Sequence, residues 1–131
     1  MLLEVERLSV TFPDGTPALQ QVSFGLEAGS ITTLTGPVGA GTSTLLACLN
    51  GVVPQLIEAE VTGRVLLEGA DLAGYRVATI SGRVGLVGQD PSAQILGRTV
   101  AEDVAFGPRN HLVPAAELDA VLYNLVETCR V

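Results

Sequence analysis

An α/β fold is predicted by three observations in this 131-residue sequence. Alternating apolar residues open the chain: Leu3 and Val5 stand on odd positions, then Leu8, Val10 and Phe12 on even ones, the period of a strand with one buried face. A β-branched run at 31–35 then leads directly into the glycine-rich stretch 36–41. The apolar residues of 42–50 follow, stopped by Asn50-Gly51 as a helix is stopped. Strand, bare-backbone loop and helix in that order make a βα unit, and the alternating segments place an antiparallel β layer ahead of it.

Each element has its own signal. The phase change near Glu6-Arg7 predicts a bulge or bend, because strand alternation has a strict period of two. Pro13-Asp14-Gly15 is a turn signal, and the return strand carries Val22, Phe24 and Leu26. A second turn, Glu27-Ala28-Gly29-Ser30, feeds the strand at 31–35. Residues 52–60 read as loop around Pro54, and residues 61–68 as a strand. A short helix is expected within 69–82, which mixes glycines with Leu72, Tyr75, Val77 and Ile80. Residues 83–87 read as a compact apolar strand ended by Gln89-Asp90-Pro91. Thr99-Val100-Ala101-Glu102 has capping-box form, and the helix it starts, with Val100, Val104 and Ala105, is expected to stop at Gly107-Pro108. From Pro114, the spacing Leu118, Val121, Leu122, Leu125, Cys129 traces one helix face, read either as core or as a surface for a partner.

Composition narrows the function. Only 16 % of residues are charged and the mean hydropathy is +0.44, so much of the chain is buried or faces a partner. The net charge of −7, without a basic cluster, argues against nucleic acid as a partner. Every basic residue is Arg. No signal peptide opens the chain and no apolar run is long enough for a membrane helix, so a cytosolic location is expected. Cys48 and Cys129 read as small apolar residues rather than a disulfide or metal pair, and the lone His111 as a solvated loop residue.

The glycine-rich stretch carries the chemistry. A phosphate loop needs Gly, four residues, then Gly, Lys and Ser or Thr, because bare backbone must wrap phosphate oxygens with its N–H groups at a helix N-terminus. Gly36, Gly39 and Gly41 stand correctly, and Ser43 stands where a hydroxyl holds Mg²⁺. Thr42 occupies the lysine position. Drift in a lysine-free protein, although that would more naturally give Arg, and a substitution that disables the site both explain it. A glycine-rich turn with no ligand is the plainer alternative. Phe12 is either the last inward residue of the first strand or an aromatic plate for a base. Gln89, at the end of a strand where α/β folds bind ligands, is either a site residue or a loop-capping amide.

Together these segments resemble the ATP-binding subunit of ABC transporters, most closely the energy-coupling-factor or cobalt-type importer ATPases, over nearly the whole chain up to about His111. FPDGTPALQQVSF is similar to the family's opening, which implies that Phe12 stacks on adenine. GPVGAGTST, comprising Gly36, Pro37, Val38, Gly39, Ala40, Gly41, Thr42, Ser43 and Thr44, is similar to the Walker A loop. The family usually has Asn at Val38, Ser at Ala40 and Lys at Thr42. VGLVGQDPSAQILGRTVAEDVAFGP resembles the Q-loop and its following helix, with Gly88 in place of a usual Phe. The resemblance implies that Gln89, with Ser43, contacts Mg²⁺ and that the segment after Gln89 faces a membrane-embedded transporter subunit. No LSGGQ-like signature, no apolar strand ending in Asp-Glu and no late switch histidine follows.

The resemblance therefore implies an α/β, P-loop NTPase-like βα core with an N-terminal antiparallel β layer and the start of a helical subdomain, truncated. Residues 1–98 correspond to the N-terminal part of the nucleotide-binding core and 99–131 to the start of the helical subdomain. It implies ATP and Mg²⁺ as cofactors, and as partners a membrane-embedded transporter subunit and a second ATP-binding subunit, of the same or another chain. It also implies a cytoplasmic position at the inner face of the cell membrane. In the resembled fold the Walker B strand lies beside the phosphate-loop strand, so unpaired backbone and apolar surface are expected there. Two functions follow: an importer component with weakened ATP binding and no hydrolysis by this chain alone, or a degenerate, non-catalytic ABC module that acts by protein interaction. A phosphate-loop kinase or GTPase is disfavoured, since nothing resembles a guanine-reading or lid motif.

Overall fold

The computed structural model describes residues 1–128, in two compact units, Met1–Leu86 and a second that begins at Val87. In the first unit β1 (Leu3–Thr11) lies between β2 (Pro17–Leu26) and β3 (Glu60–Leu67), and the short β4 (Ala70–Asp71) borders β3. All three pairings are antiparallel. β1 buries Leu3, Val5, Leu8 and Val10, so its inward set switches from odd to even positions as the sequence pattern requires. The switch is a bulge at Arg7, whose φ is 45°, with register shifts against both neighbours. The Arg7 N–H, turned out of the ladder, donates to Ser23 Oγ at 2.8 Å. On β3, Gly63 (φ 88°) fits against the bulge; a Cβ there would lie 2.4 Å from the Arg7 carbonyl oxygen.

The hairpin between β1 and β2 is closed by the Phe12 N–H donating to the Thr16 carbonyl at 2.9 Å and by Asp14 Oδ1 accepting the Thr16 N–H at 2.8 Å. Helix α1 (Thr42–Leu49) packs Leu45 and Cys48 into the core formed by β1, Leu19 of β2, and Val65 and Leu67 of β3. Asn50 and Gly51 end it as expected, the Asn50 side chain accepting the Val52 N–H at 3.2 Å. Two single turns follow, α2 (Val52–Gln55) and α3 (Val77–Ile80). The Gln55 amide ties them together, donating to the Tyr75 carbonyl at 2.8 Å and accepting the Val77 N–H at 3.0 Å. Val53 and Ile80 from these turns complete the core.

Two expected strands do not form. Residues 31–35 and 83–87 run without a ladder, and Ile31 is 98 % exposed. A strand is a paired object: β1 already has β2 and β3 on its two edges, and among the described residues no further strand lies beside 31–35. That segment instead borders an apolar groove of about 320 Å³ walled by Phe24, Leu26, Leu34, Leu45, Leu46 and Leu49.

The second unit contains α4 (Val100–Asn110) and α5 (Ala115–Thr128). Thr99 caps α4 by accepting the Glu102 N–H at 3.2 Å, and the Glu102 carboxylate returns to the Arg98 N–H at 3.0 Å, one residue before the position a capping box uses. The expected stop at Gly107-Pro108 is overturned, because α4 continues to Asn110 with Pro108 inside it. A proline this close to the end forfeits one backbone bond, and the His111 N–H closes the last turn on the Gly107 carbonyl at 3.1 Å. Along α5, Leu118, Val121 and Leu122 are half-buried and Leu125 is exposed, while Cys129 lies outside the described residues.

The Gly63 fit gives a stability test. Gly63→Ala should destabilise the chain by about 1–3 kcal/mol, from a positive φ and a blocked Cβ. Gly85→Ala, where a Cβ meets nothing within 4 Å, should change stability by less than about 0.5 kcal/mol in the same urea titrations.

Candidate functional site

The candidate site is built where the glycine loop becomes α1. Gly41 is the residue before the helix, in the left-handed conformation (φ 87°, ψ 10°). A Cβ at this position would lie 2.4 Å from the Ala18 carbonyl oxygen and 3.0 Å from Leu19 Cδ2, so only glycine lets the loop rest this closely on β2. Within the loop the Ala40 N–H donates to the Pro37 carbonyl at 3.0 Å, and the Leu45 N–H makes the first bond of the helix, to the Gly41 carbonyl at 2.8 Å. The N–H groups of Thr42, Ser43 and Thr44 precede any helical acceptor. No side chain caps them, and no acidic residue occupies the first turn. The helix therefore starts with a cluster of donors and the positive end of its dipole directed away from the core.

An open hollow of about 260 Å³ faces these donors. Gly39, Gly41, Thr42, Ser43 and Thr44 form one wall, and Phe12, Thr16, Pro17 and Ala18 from the β1–β2 hairpin form the other. Phe12 is half-buried on the rim, just past the end of β1. The lining holds hydroxyls and backbone but neither an acidic nor a basic side chain. Of the residues singled out from the sequence, Phe12, Gly39, Gly41, Thr42, Ser43 and Thr44 thus share one hollow. Gly36, Pro37, Val38 and Ala40 make the exposed outer part of the loop without lining it. Thr16 and Ala18 were not among the sequence candidates. The signal for them lies in the hairpin: pairing of Thr11 with Pro17 and of Val10 with Leu19 brings them alongside Phe12.

Gln89 belongs to the second unit and is exposed there. The backbone on either side of it is held. The Gly88 N–H donates to Gln94 Oε1 at 2.9 Å, and Asp90 Oδ1 accepts the Ser92 N–H at 3.1 Å and the Ser92 hydroxyl. These bonds, the hydroxyl first, hold the Asp90 carboxyl below its ordinary pKa.

Among the described residues no group of three or more His, Cys, Asp and Glu side chains could hold a metal ion. Ser43, exposed at the helix start, offers one hydroxyl oxygen to a Mg²⁺; such an ion beside a nucleotide also takes phosphate, water and one or two carboxylates, and no carboxylate lines this hollow. Cys48 is no part of this chemistry. Burial pushes its thiol up to about 11, so it stays protonated and unreactive.

Residues 19–130 match the ABC transporter family, and the chain belongs to that family. The energy-coupling factor transporter ATP-binding protein EcfA of Methanosarcina acetivorans is 40 % identical over 119 residues, which are 89 % of this chain and 41 % of the relative. EcfA2 of Symbiobacterium thermophilum is 38 % identical over 97 % of this chain and 44 % of its own length. Among solved structures, cbiO1 of Clostridium perfringens, described as part of the ABC transporter complex cbiONQ, superposes with a TM-score of 0.75 at 30 % identity. It covers 91 % of this chain and 46 % of that protein. The chain thus spans less than half the length of these relatives.

The loop at Gln89 gives a pH test. Because the folded pKa of Asp90 is depressed, its acceptor role persists down through the ordinary Asp value and is lost only as the pH falls through the lowered one. The Ser92 amide proton should titrate by NMR with an inflection below about 3.9, and Asp90→Asn should abolish the titration. An inflection at or above that value would contradict the hydrogen-bonded geometry.

Proposed function

We propose that residues 1–98 supply the N-terminal part of the nucleotide-binding core, and 99–131 the start of the helical subdomain, of an energy-coupling-factor or cobalt-type importer ATPase. In this reading the chain binds Mg-ATP weakly and does not hydrolyse it alone. The observation that carries the proposal is the set of uncapped amides at Thr42, Ser43 and Thr44 opening onto a hollow shared with Phe12, in a chain of the ABC transporter family. Phosphate oxygens are bound by the amides of Gly39, Gly41 and the first helical turn. Adenine stacks on Phe12, and the Ser43 hydroxyl serves Mg²⁺. Pro37, Val38 and Ala40 hold the loop's outer curve.

The weakness comes from position 42. Thr42 offers a hydroxyl where the phosphate-loop pattern places an ammonium, and a charge-assisted hydrogen bond contributes about 1.5–3 kcal/mol, roughly ten- to a hundredfold in affinity. Hydrolysis further requires a group that takes a proton from the attacking water, and no titratable side chain lines the hollow. Partners are a membrane-embedded transporter subunit and a second ATP-binding subunit, at the cytoplasmic face. The exposed Val100 and Phe106 of α4 offer apolar contact area for the membrane subunit, and among the described residues no helix is long and apolar enough to cross a membrane itself. The charge-free lining also favours a second reading, a degenerate ABC module that acts through protein contacts without using nucleotide.

Calorimetric titration with Mg-ATP separates the two. Weak binding by the natural chain and a gain of roughly ten- to a hundredfold in Thr42→Lys are expected for the nucleotide reading. Failure of Thr42→Lys to gain affinity favours the degenerate module. Phosphate release by the natural chain above buffer background would refute the absence of hydrolysis.

A further inference from the structure

We infer that this site does not distinguish a nucleoside triphosphate from the corresponding diphosphate. The inference rests on the nucleotide reading above and concerns which part of the ligand the hollow recognises. In a phosphate loop the backbone amides cradle the inner phosphates, while the lysine reaches out to the terminal ones. Here the first set of groups is intact. Thr42, Ser43 and Thr44 present free N–H groups and Gly39 and Gly41 leave the backbone bare. The second is missing. The Thr42 hydroxyl sits one bond beyond Cβ and carries no charge, so nothing at this position extends past the first turn of α1.

Among the described residues of this unit, no other cationic side chain takes its place. The chain contains no lysine, and of the arginines in this unit Arg64 pairs with Glu6 and Arg83 with Glu68, while neither Arg7 nor Arg76 lines the hollow. The whole chain carries a formal charge of −7, so the extra charge of a third phosphate enters an anionic field and meets no compensating side chain in this hollow. Affinity then resides in the base at Phe12 and in the inner phosphates at the amides, and the third phosphate remains in solvent. A ligand shifts a conformational equilibrium only by its differential affinity. Exchange of ADP for ATP at this loop accordingly transmits no free energy, and the chain is insensitive to the state of the nucleotide it holds.

Titration calorimetry on the chain as it stands, with Mg-ADP and Mg-ATP at about 0.15 M ionic strength, tests this. The two dissociation constants should agree within about fivefold, or about 1 kcal/mol. Thr42→Lys should open a preference for ATP of tenfold or more, and Phe12→Ala should weaken both nucleotides by the same factor. A natural chain that prefers ATP by more than fivefold overturns the inference and leaves the nucleotide reading standing. A Thr42→Lys chain that gains affinity with the ratio unchanged also overturns it, since the discrimination would then not depend on this position. If neither nucleotide binds at millimolar concentration, the nucleotide reading itself falls, and the inference with it.

Discussion

The contact between Gly41 and the backbone of β2 fixes everything else at the site. A left-handed turn pressed against the Ala18 carbonyl sets where α1 begins, and any side chain at Gly41 would force the helix start away from the hairpin. Once the start is set, Leu45 and Cys48 anchor the helix in the core, and the three free amides of the first turn lie opposite Phe12. The sheet beneath depends on a second local irregularity. The bulge at Arg7 lets one strand present Leu3 and Val5 and then Leu8 and Val10 to the same core, with Gly63 making room for it.

What this frame offers a ligand is direction without charge. Backbone amides and a helix dipole amount to partial positive charges, enough to orient phosphate oxygens but less than a full ammonium. The hollow adds hydroxyls and an aromatic edge, and its lining contains no ionised side chain. Membership of the ABC transporter family explains why such a frame exists. With threonine at position 42, a phosphate bound here would meet hydrogen bonds and no ammonium.

Much of this was legible in the sequence because it depends on local chemistry. The phase change at Glu6-Arg7, the turn at Asp14-Gly15, the Asn50-Gly51 stop and the Thr99 cap each follow from a few neighbouring residues, and each is found in the structure. The glycine spacing was readable as a motif, and at Gly41 the structure supplies a reason for it, since a Cβ there would meet the Ala18 carbonyl of β2. What was not legible depends on residues far apart in the chain. A β-branched run such as 31–35 has strand propensity, yet strand character needs a neighbour, and β1 is already flanked on both edges. The hairpin wall of the hollow, Thr16 and Ala18, emerges only from the pairing register of β1 with β2. Pro108 misled because a proline near the end of a helix removes one bond rather than the helix.

On this account, backbone amides at the start of α1 hold phosphate without help from a charged side chain. The most direct measurement is an amide NMR titration of the chain with magnesium pyrophosphate, which carries the phosphates and no base. Shift changes concentrated at Gly39, Gly41, Thr42, Ser43 and Thr44 are the predicted result. Amides at Thr42 and Ser43 that stay in place throughout the titration would contradict it.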